Sequence, residues 1–387
     1  MGESIVKILY LFYLIYYISS GVFYPFVNVH YERLGFTGSQ IGMINSIGLI
    51  FAMLITPMWG MVADKTRRYK AILGLVMVLS SISGFIWDMQ TALLNVVIAA
   101  TCLTVFRSAI NPLADSLAVA YCAKEGRDFG KIRGLGSLGY VLGSFVIANI
   151  AGYLGIQGPF MQVMCIALIL AGGLLLFFPK IEMHHTTQKE SILKNGKKLI
   201  SNKRYIFIVC LMLFTNLAMD SAGGYIGNHL VNAMKANESA IGTYTLIAAL
   251  PEVFFIMIIG NLVSRFGFKA VYLLAITTQI IRLVGYACVN SVPLFMCFTI
   301  FHMIMAGAGC VVNMNYIHKI VDSSMLATAV SLYTGIYLVG QACYTQLFGF
   351  IYEVAGSHMI FLVTAMLTFI GFLMVLKTDK FNFDDRG

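Results

Sequence analysis

Long apolar runs, broken by short polar stretches, recur along the whole chain. A helix needs about 20 apolar residues to cross a bilayer, and the runs predict spans over 6–31, 40–62, 70–88, 91–122, 133–154, 159–179, 204–232, 239–264, 269–288, 292–318, 325–352 and 357–376. Backbone amides in hydrocarbon must bond within their own segment, so the expected class is an all-α membrane protein of twelve transmembrane helices. When alternate loops are assigned to one side, Lys7, the Lys65 to Lys70 cluster, Lys124, Arg127, Lys131, Arg133, the central-loop lysines, Arg265, Lys269, Lys319 and the tail's Lys377, Lys380 and Arg386 gather together. Only Arg33 and Lys235 fall opposite, which predicts a plasma-membrane protein with both termini cytoplasmic. Glu3 and the lack of a small-residue cleavage site make the first run a retained helix rather than a signal peptide.

The pattern repeats at a fixed distance. Gly60, Asp64, Lys65, Arg67, Arg68 and Lys70 form a charged turn between two apolar runs, and Gly260 to Lys269 repeats its G-x-x-x-x-[KR] frame 200 residues on. Ile41-Gly42 with Ile241-Gly242, and Asn28 with Asn228, keep the same offset. A constant offset at three places marks an internal duplication, so two six-helix halves are expected at 1–179 and 204–387, joined by a cytoplasmic linker at 180–203. In the charged turn, Gly60 is expected to let two helices approach closely. Asp64 is expected to cap a helix or pair with a cation, with Lys65 and Arg68 holding the turn on the cytoplasmic side.

Composition narrows the class further. The chain has 387 residues, 59% hydrophobic and 11% charged, which excludes an ordinary soluble enzyme. Its net charge of +9 sits in short loops and reports topology, so no nucleic-acid partner is expected. Eight scattered cysteines form no C-x-x-C pair and read as small core residues. His184-His185 in the linker has no further His or Cys beside it, and no metal or other cofactor is expected. H-E-x-x-H, G-x-S-x-G and G-x-x-x-x-G-K-[ST] are all missing, so a membrane enzyme or receptor has no motif to support it.

The candidate chemistry lies in charges within the apolar runs. An ionised side chain at mid-membrane costs roughly 2.5–3.5 kcal/mol, so it persists where it is paired or faces a wet cavity. Arg107 and Asp115 in the fourth span, Asp220 in the seventh, Glu252 in the eighth and Arg282 in the ninth meet this description, and His302 in the tenth joins them. Arg107, Asn111 and Asp115 follow at intervals of four and form one helical stripe, interrupted by Pro112. An interhelical salt bridge is the plainer reading of Arg107 and Asp115, and a satisfied core histidine that of His302. A second stripe, Tyr13, Tyr17, Ser20, Tyr24 and Asn28, runs through the first span and suits a ring-shaped polar solute.

The frame around Gly60 and Asp64 resembles the loop between the second and third helices of the major facilitator superfamily, which usually has Gly where this chain has Arg67. Pro112-Leu113-Ala114-Asp115 through Asp128-Phe129-Gly130-Lys131-Ile132-Arg133 to Tyr140 resembles the proton-coupled oligosaccharide and phenylpropionate branch, and the likeness covers essentially the whole chain. Glu252, Arg282 and His302 fall where lactose permease relatives recognise sugar and couple protons. Two departures stand out: Val119 and Met305 occupy positions where those relatives carry glutamates. Tyr140 replaces a tryptophan, and the fifth span lacks the Gly-Pro pair of drug antiporters; its Gly136, Gly139 and Gly143 read as close helix packing.

The resemblance implies a secondary transporter rather than an enzyme. It would take up a sugar, glycoside, nucleoside or aromatic acid with a proton, driven by the proton gradient, and work as a monomer in the lipid bilayer. The alternative is a proton-independent facilitator or an exporter of the same fold. Tyr17, Tyr24, Asn28, Arg107, Asn111, Asp115, Tyr140, Asp220, Asn228 and His302 are the expected solute contacts, and Glu252, Arg282 and Asp220 the expected coupling groups. They are expected to meet in a cavity between spans one, four and five and spans seven, eight and ten.

Overall fold

The computed structural model describes residues 2–154, 159–179, 192–322 and 325–378. The first half is built from α1 (Gly2–Phe23), α2 (Val27–Arg33), α3 (Gly38–Thr66), α4 (Tyr69–Asp88), α5 (Leu93–Ser108), α6 (Ile110–Glu125), α7 (Phe129–Leu154) and α8 (Phe160–Leu174). After α9 (Ile192–Ser201), the second half comprises α10 (Lys203–Met212), α11 (Ala218–Gly223), α12 (Ile226–Asn228), α13 (Ser239–Cys288), α14 (Val292–Thr299), α15 (His302–Ile320) and α16 (Leu326–Leu376). Among the described residues, ten helical stretches are long and apolar enough to cross a membrane. Two of them, α13 and α16, run to 50 and 51 residues, and each turns at a glycine of positive φ, Gly267 at 78° and Gly356 at 77°. Counting each as two crossings gives the twelve that the apolar runs predict among the described residues. His184, His185, Lys189, Lys380 and Arg386 lie outside those residues.

Several crossings are broken where the sequence suggested one continuous helix. The fourth run is two helices meeting at Ala109, because Pro112 in the first turn of α6 has no N–H to offer the Ser108 carbonyl. The first breaks between Phe23 and Val27, around Pro25, and the tenth between Thr299 and His302. In the seventh, π-helical turns at Leu213–Leu217 and His229–Ala233 flank the short helices that carry Asp220 and Asn228.

The duplication is written in the backbone. Gly35 and Lys235 both take positive φ, at 84° and 54°, and so do Arg67 and Gly267, at 55° and 78°. Each pair is 200 residues apart. Arg67 therefore holds a left-handed conformation that glycine adopts without steric cost, at the end of α3.

Glycines set how closely the helices meet. A methyl group on Gly139 would lie 2.4 Å from the Leu14 carbonyl oxygen, and one on Gly143 the same distance from that of Ile18, so α1 lies directly on the backbone of α7. Between the halves, Gly42 meets the backbone of α16 at Thr345, and Gly242 meets Ala148 of α7, making corresponding contacts on the two seams. Gly60 corrects the expectation of close packing: a methyl group there meets nothing within 4 Å. Nearby, the Tyr69 hydroxyl donates to the Asp64 carboxylate, and Lys65 and Arg68 are exposed.

These glycines make opposite predictions. Gly139→Val should lower the thermal midpoint of the detergent-solubilised protein by an overpacking cost of about 1–3 kcal/mol. Gly60→Ala should leave the stability unchanged or raise it by up to about 1 kcal/mol. Equal effects of the two changes would contradict the packing described.

Candidate functional site

A cavity of about 590 Å³ lies between the halves. Its wall follows the duplication: Tyr24 and Gly224, Pro25 and Tyr225, Ile44 and Tyr244, Asn45 and Thr245, and Leu49 and Ala249 all line it as pairs 200 residues apart. Spans two, nine and eleven contribute in addition to those expected, through Asn45, Arg282, Gln341 and Thr345. Of the candidate residues, Tyr17, Tyr24, Asn28, Tyr140, Asp220, Glu252, Arg282 and His302 line it. Arg107, Asn111, Asp115 and Asn228 are not among the lining residues.

The two polar stripes read from the sequence are largely partners of each other. Tyr13 donates to Asp115 Oδ1 at 2.7 Å, Tyr17 to Asn111 Oδ1 at 3.1 Å, and Arg107 to Ser20 Oγ at 2.9 Å. Because α1 runs antiparallel to α5 and α6, these pairs step along both helices one turn at a time. Tyr13 with Asp115 and Tyr17 with Asn111 therefore pair within the first half, which holds Asn111 and Asp115 against α1 rather than on the cavity wall, whereas Arg107 keeps its buried Nε and Nη1 without a hydrogen-bond partner. Arg107 is buried with its guanidinium over the rings of Phe23 and Tyr24, 5.2 and 5.1 Å from their centroids. Arg133 lies over Tyr17 at 4.8 Å and reaches within 4.0 Å of Asp115.

In the second half the charged groups form a chain. Arg282 Nη1 donates to His302 Nδ1. Guanidinium has no lone pair to offer, so Nδ1 is the accepting nitrogen and the neutral ring carries its proton on Nε2. That nitrogen faces Glu252 Oε2 at 3.8 Å. His302 thus stands between the acid and the cation, and Arg282 also lies 5.5 Å from the Tyr286 ring centroid. Asp220, on the same cavity, accepts from Tyr337 at 2.6 Å. Tyr337 was missed, although Tyr337, Gln341 and Thr345 follow at intervals of four and mark one helical face.

The end of the bundle away from the termini, the distal end, is sealed above the cavity. Asn28 donates to the Gly224 carbonyl at 2.9 Å, and Asn228 Nδ2 donates to the Asn28 carbonyl at 3.0 Å and to Glu32 Oε2 at 2.6 Å. Arg33 pairs with Glu238, and Glu353 accepts from the Ser39 amide. Deeper, Ser144 donates to Thr245 at 2.9 Å and Ser46 to the Ala342 carbonyl at 2.7 Å. Asn228, expected at the solute, commits its amide to this seal. Among the described residues no group of three His, Cys, Asp or Glu side chains could hold a metal.

Two related helical halves around a central cavity that carries charged side chains on its wall, sealed at one end, define a membrane carrier rather than a soluble enzyme. The model of the MFS_1 like family matches residues 6–363, so the chain belongs to that family of major facilitator transporters. It is 25% identical to the maltose permease of Geobacillus stearothermophilus over 376 residues, 96% of this chain and 93% of that one. It is 24% identical to the probable 3-phenylpropionic acid transporter of Escherichia coli (strain K12) over 368 residues, 92% and 93% of the two chains. The nucleoside transporter NupG superposes with a TM-score of 0.83 at 18% identity, covering 97% of this chain and 100% of that one, which establishes the fold. The relatives are transporters, and the expectation of a transporter rather than an enzyme holds.

If the stripe pairs act as units, a double-mutant cycle on Tyr13→Phe and Asp115→Asn should return a coupling of about 0.5–3 kcal/mol in thermal unfolding. Additive effects would mean that the two helices are held by packing alone.

Proposed function

We propose that the protein is a proton-coupled symporter that takes up a small polar solute containing a ring, with both termini on the cytoplasmic face of the plasma membrane. The observation that carries this reading is the Glu252, His302 and Arg282 chain on the wall of a cavity sealed at its distal end. A proton carrier must be an acid that water and solute can reach, close to a cation whose approach favours release of the proton. Glu252 meets both needs, with His302 relaying between it and Arg282. Asp220, held by Tyr337, is the alternate acid.

The cavity's volume suits a solute of one or two rings. Tyr17, Tyr24, Tyr140 and Tyr244 give it stacking faces, while Asn45, Asp220 and Gln341 supply hydrogen-bonding groups. A sugar, nucleoside or aromatic acid meets these requirements, in keeping with the maltose, phenylpropionic acid and nucleoside named for the similar proteins. In this reading the sealed distal end faces outward and the halves rock about the cavity. The Gly60 to Arg68 turn, with the Asp64 carboxylate, then acts on the conformational equilibrium rather than on solute.

Proteoliposomes given an inward proton gradient should accumulate one of maltose, uridine or 3-phenylpropionate against its own gradient. Glu252→Gln should abolish that accumulation while leaving exchange of solute across the membrane intact, because exchange requires no net proton release. Accumulation by Glu252→Gln with loss in Asp220→Asn would move the carrier to Asp220. Downhill movement with no response to the proton gradient would make the protein a facilitator.

A further inference from the structure

Glu32, at the distal end of the first crossing, is a carboxylate that the transport scheme above does not use. Three donors from the other half converge on its Oε2: Asn228 Nδ2 at 2.6 Å, Asn232 Nδ2 at 2.5 Å and the Tyr352 hydroxyl at 2.8 Å. No other side chain gathers three hydrogen bonds from the opposite half among the described residues. The adjacent Arg33 is paired with Glu238, so Glu32 is directed to these donors rather than to its neighbour. Asn228 gives both its amide hydrogens to the first half, one to Glu32 and one to the Asn28 carbonyl, and its own Oδ1 is buried with no donor.

The duplication sharpens the point. Asn28 and Asn228 are equivalent by the 200-residue offset, and so are Glu32 and Asn232. One half thus offers an acid where the other offers an amide, and the acid becomes the acceptor on which the donors meet. An amide oxygen at position 32 could accept from some of these donors, but charge-assisted bonds are about twice as strong as neutral ones.

We propose that Glu32 is the latch of the distal gate, a positioning residue whose carboxylate holds the two halves shut over the cavity and whose release opens the cavity to that side. This rests on the alternating-access reading of the cavity. It is independent of which solute is carried and of which acid carries the proton.

Ala249 lines the cavity and can report its accessibility. A membrane-impermeant maleimide is added to intact cells bearing Ala249→Cys, and its labelling is taken over that of the same chain without the change. With Glu32 present, labelling should be slow until the cells are permeabilised. With Glu32→Gln it should be at least tenfold faster in intact cells, and Glu32→Asp, which keeps the carboxylate, should restore much of the protection. Cys165, buried in the first half, should stay unlabelled in each variant, which separates gate opening from unfolding.

A Glu32→Gln rate within twofold of the parent, or a Glu32→Asp rate equal to that of Glu32→Gln, overturns the proposal. If Glu32→Gln exposes Cys165, Tyr352→Phe removes one donor at lower cost to the fold. It should raise labelling severalfold, and an unchanged rate overturns the latch. Fast labelling of the parent in intact cells overturns instead the outward placement of the sealed end on which the latch is read.

Discussion

The hydrogen bonds between α1 and the broken fourth crossing, from Tyr13 to Asp115, Tyr17 to Asn111 and Arg107 to Ser20, support one whole side of the cavity. A polar atom in hydrocarbon must find its partner inside the protein, and here the partners lie on adjoining helices, one turn apart. Their pairing fixes the rotation of α1, which in turn presents Tyr17 and Tyr24 to the cavity. The glycines of α7 set its backbone directly against another face of α1. On the opposite side the same constraint is met differently. There Glu252, His302 and Arg282 stand as a chain on the cavity wall itself.

Much of the fold was legible because its signals are local. Each crossing is an apolar run of the length that a membrane demands, and the 200-residue offset relates the halves without any knowledge of contacts. The structure adds that the offset extends to left-handed residues at 35 and 235 and at 67 and 267, and to paired positions on the cavity wall. The breaks inside crossings were harder to read. Pro25 and Pro112 mark two of them, but a proline near a helix end is common and does not by itself divide a span.

The site was legible as a set of residue types and less so as a set of partners. The cost of intramembrane charge singled out Arg107, Asp115, Asp220, Glu252 and Arg282, all of which sit in crossings. Which of them face one another depends on helix rotation and on contacts between residues a hundred or more positions apart, for which a single sequence carries no signal. Asp115 therefore looked like a solute acceptor, yet its oxygen is held by Tyr13. Glu32 escaped notice because an acid beside Arg33 at the end of a span reads as an ordinary interfacial charge, and only the fold brings Asn228, Asn232 and Tyr352 to it.

Rocking of the halves about the cavity is the central claim, and the seam between α7 and α13 tests it most directly. Ser144 and Thr245 face each other there across the halves at hydrogen-bond distance, with Oγ to Oγ1 at 2.9 Å. Ser144→Cys combined with Thr245→Cys should form a disulfide under mild oxidation, in the state described. The measurement is exchange of maltose, uridine or 3-phenylpropionate, whichever the reconstituted protein carries, before and after that oxidation. Exchange should stop when the bond forms and return on reduction. Undiminished exchange with the halves cross-linked would contradict the account, since the solute would then cross without the seam ever parting.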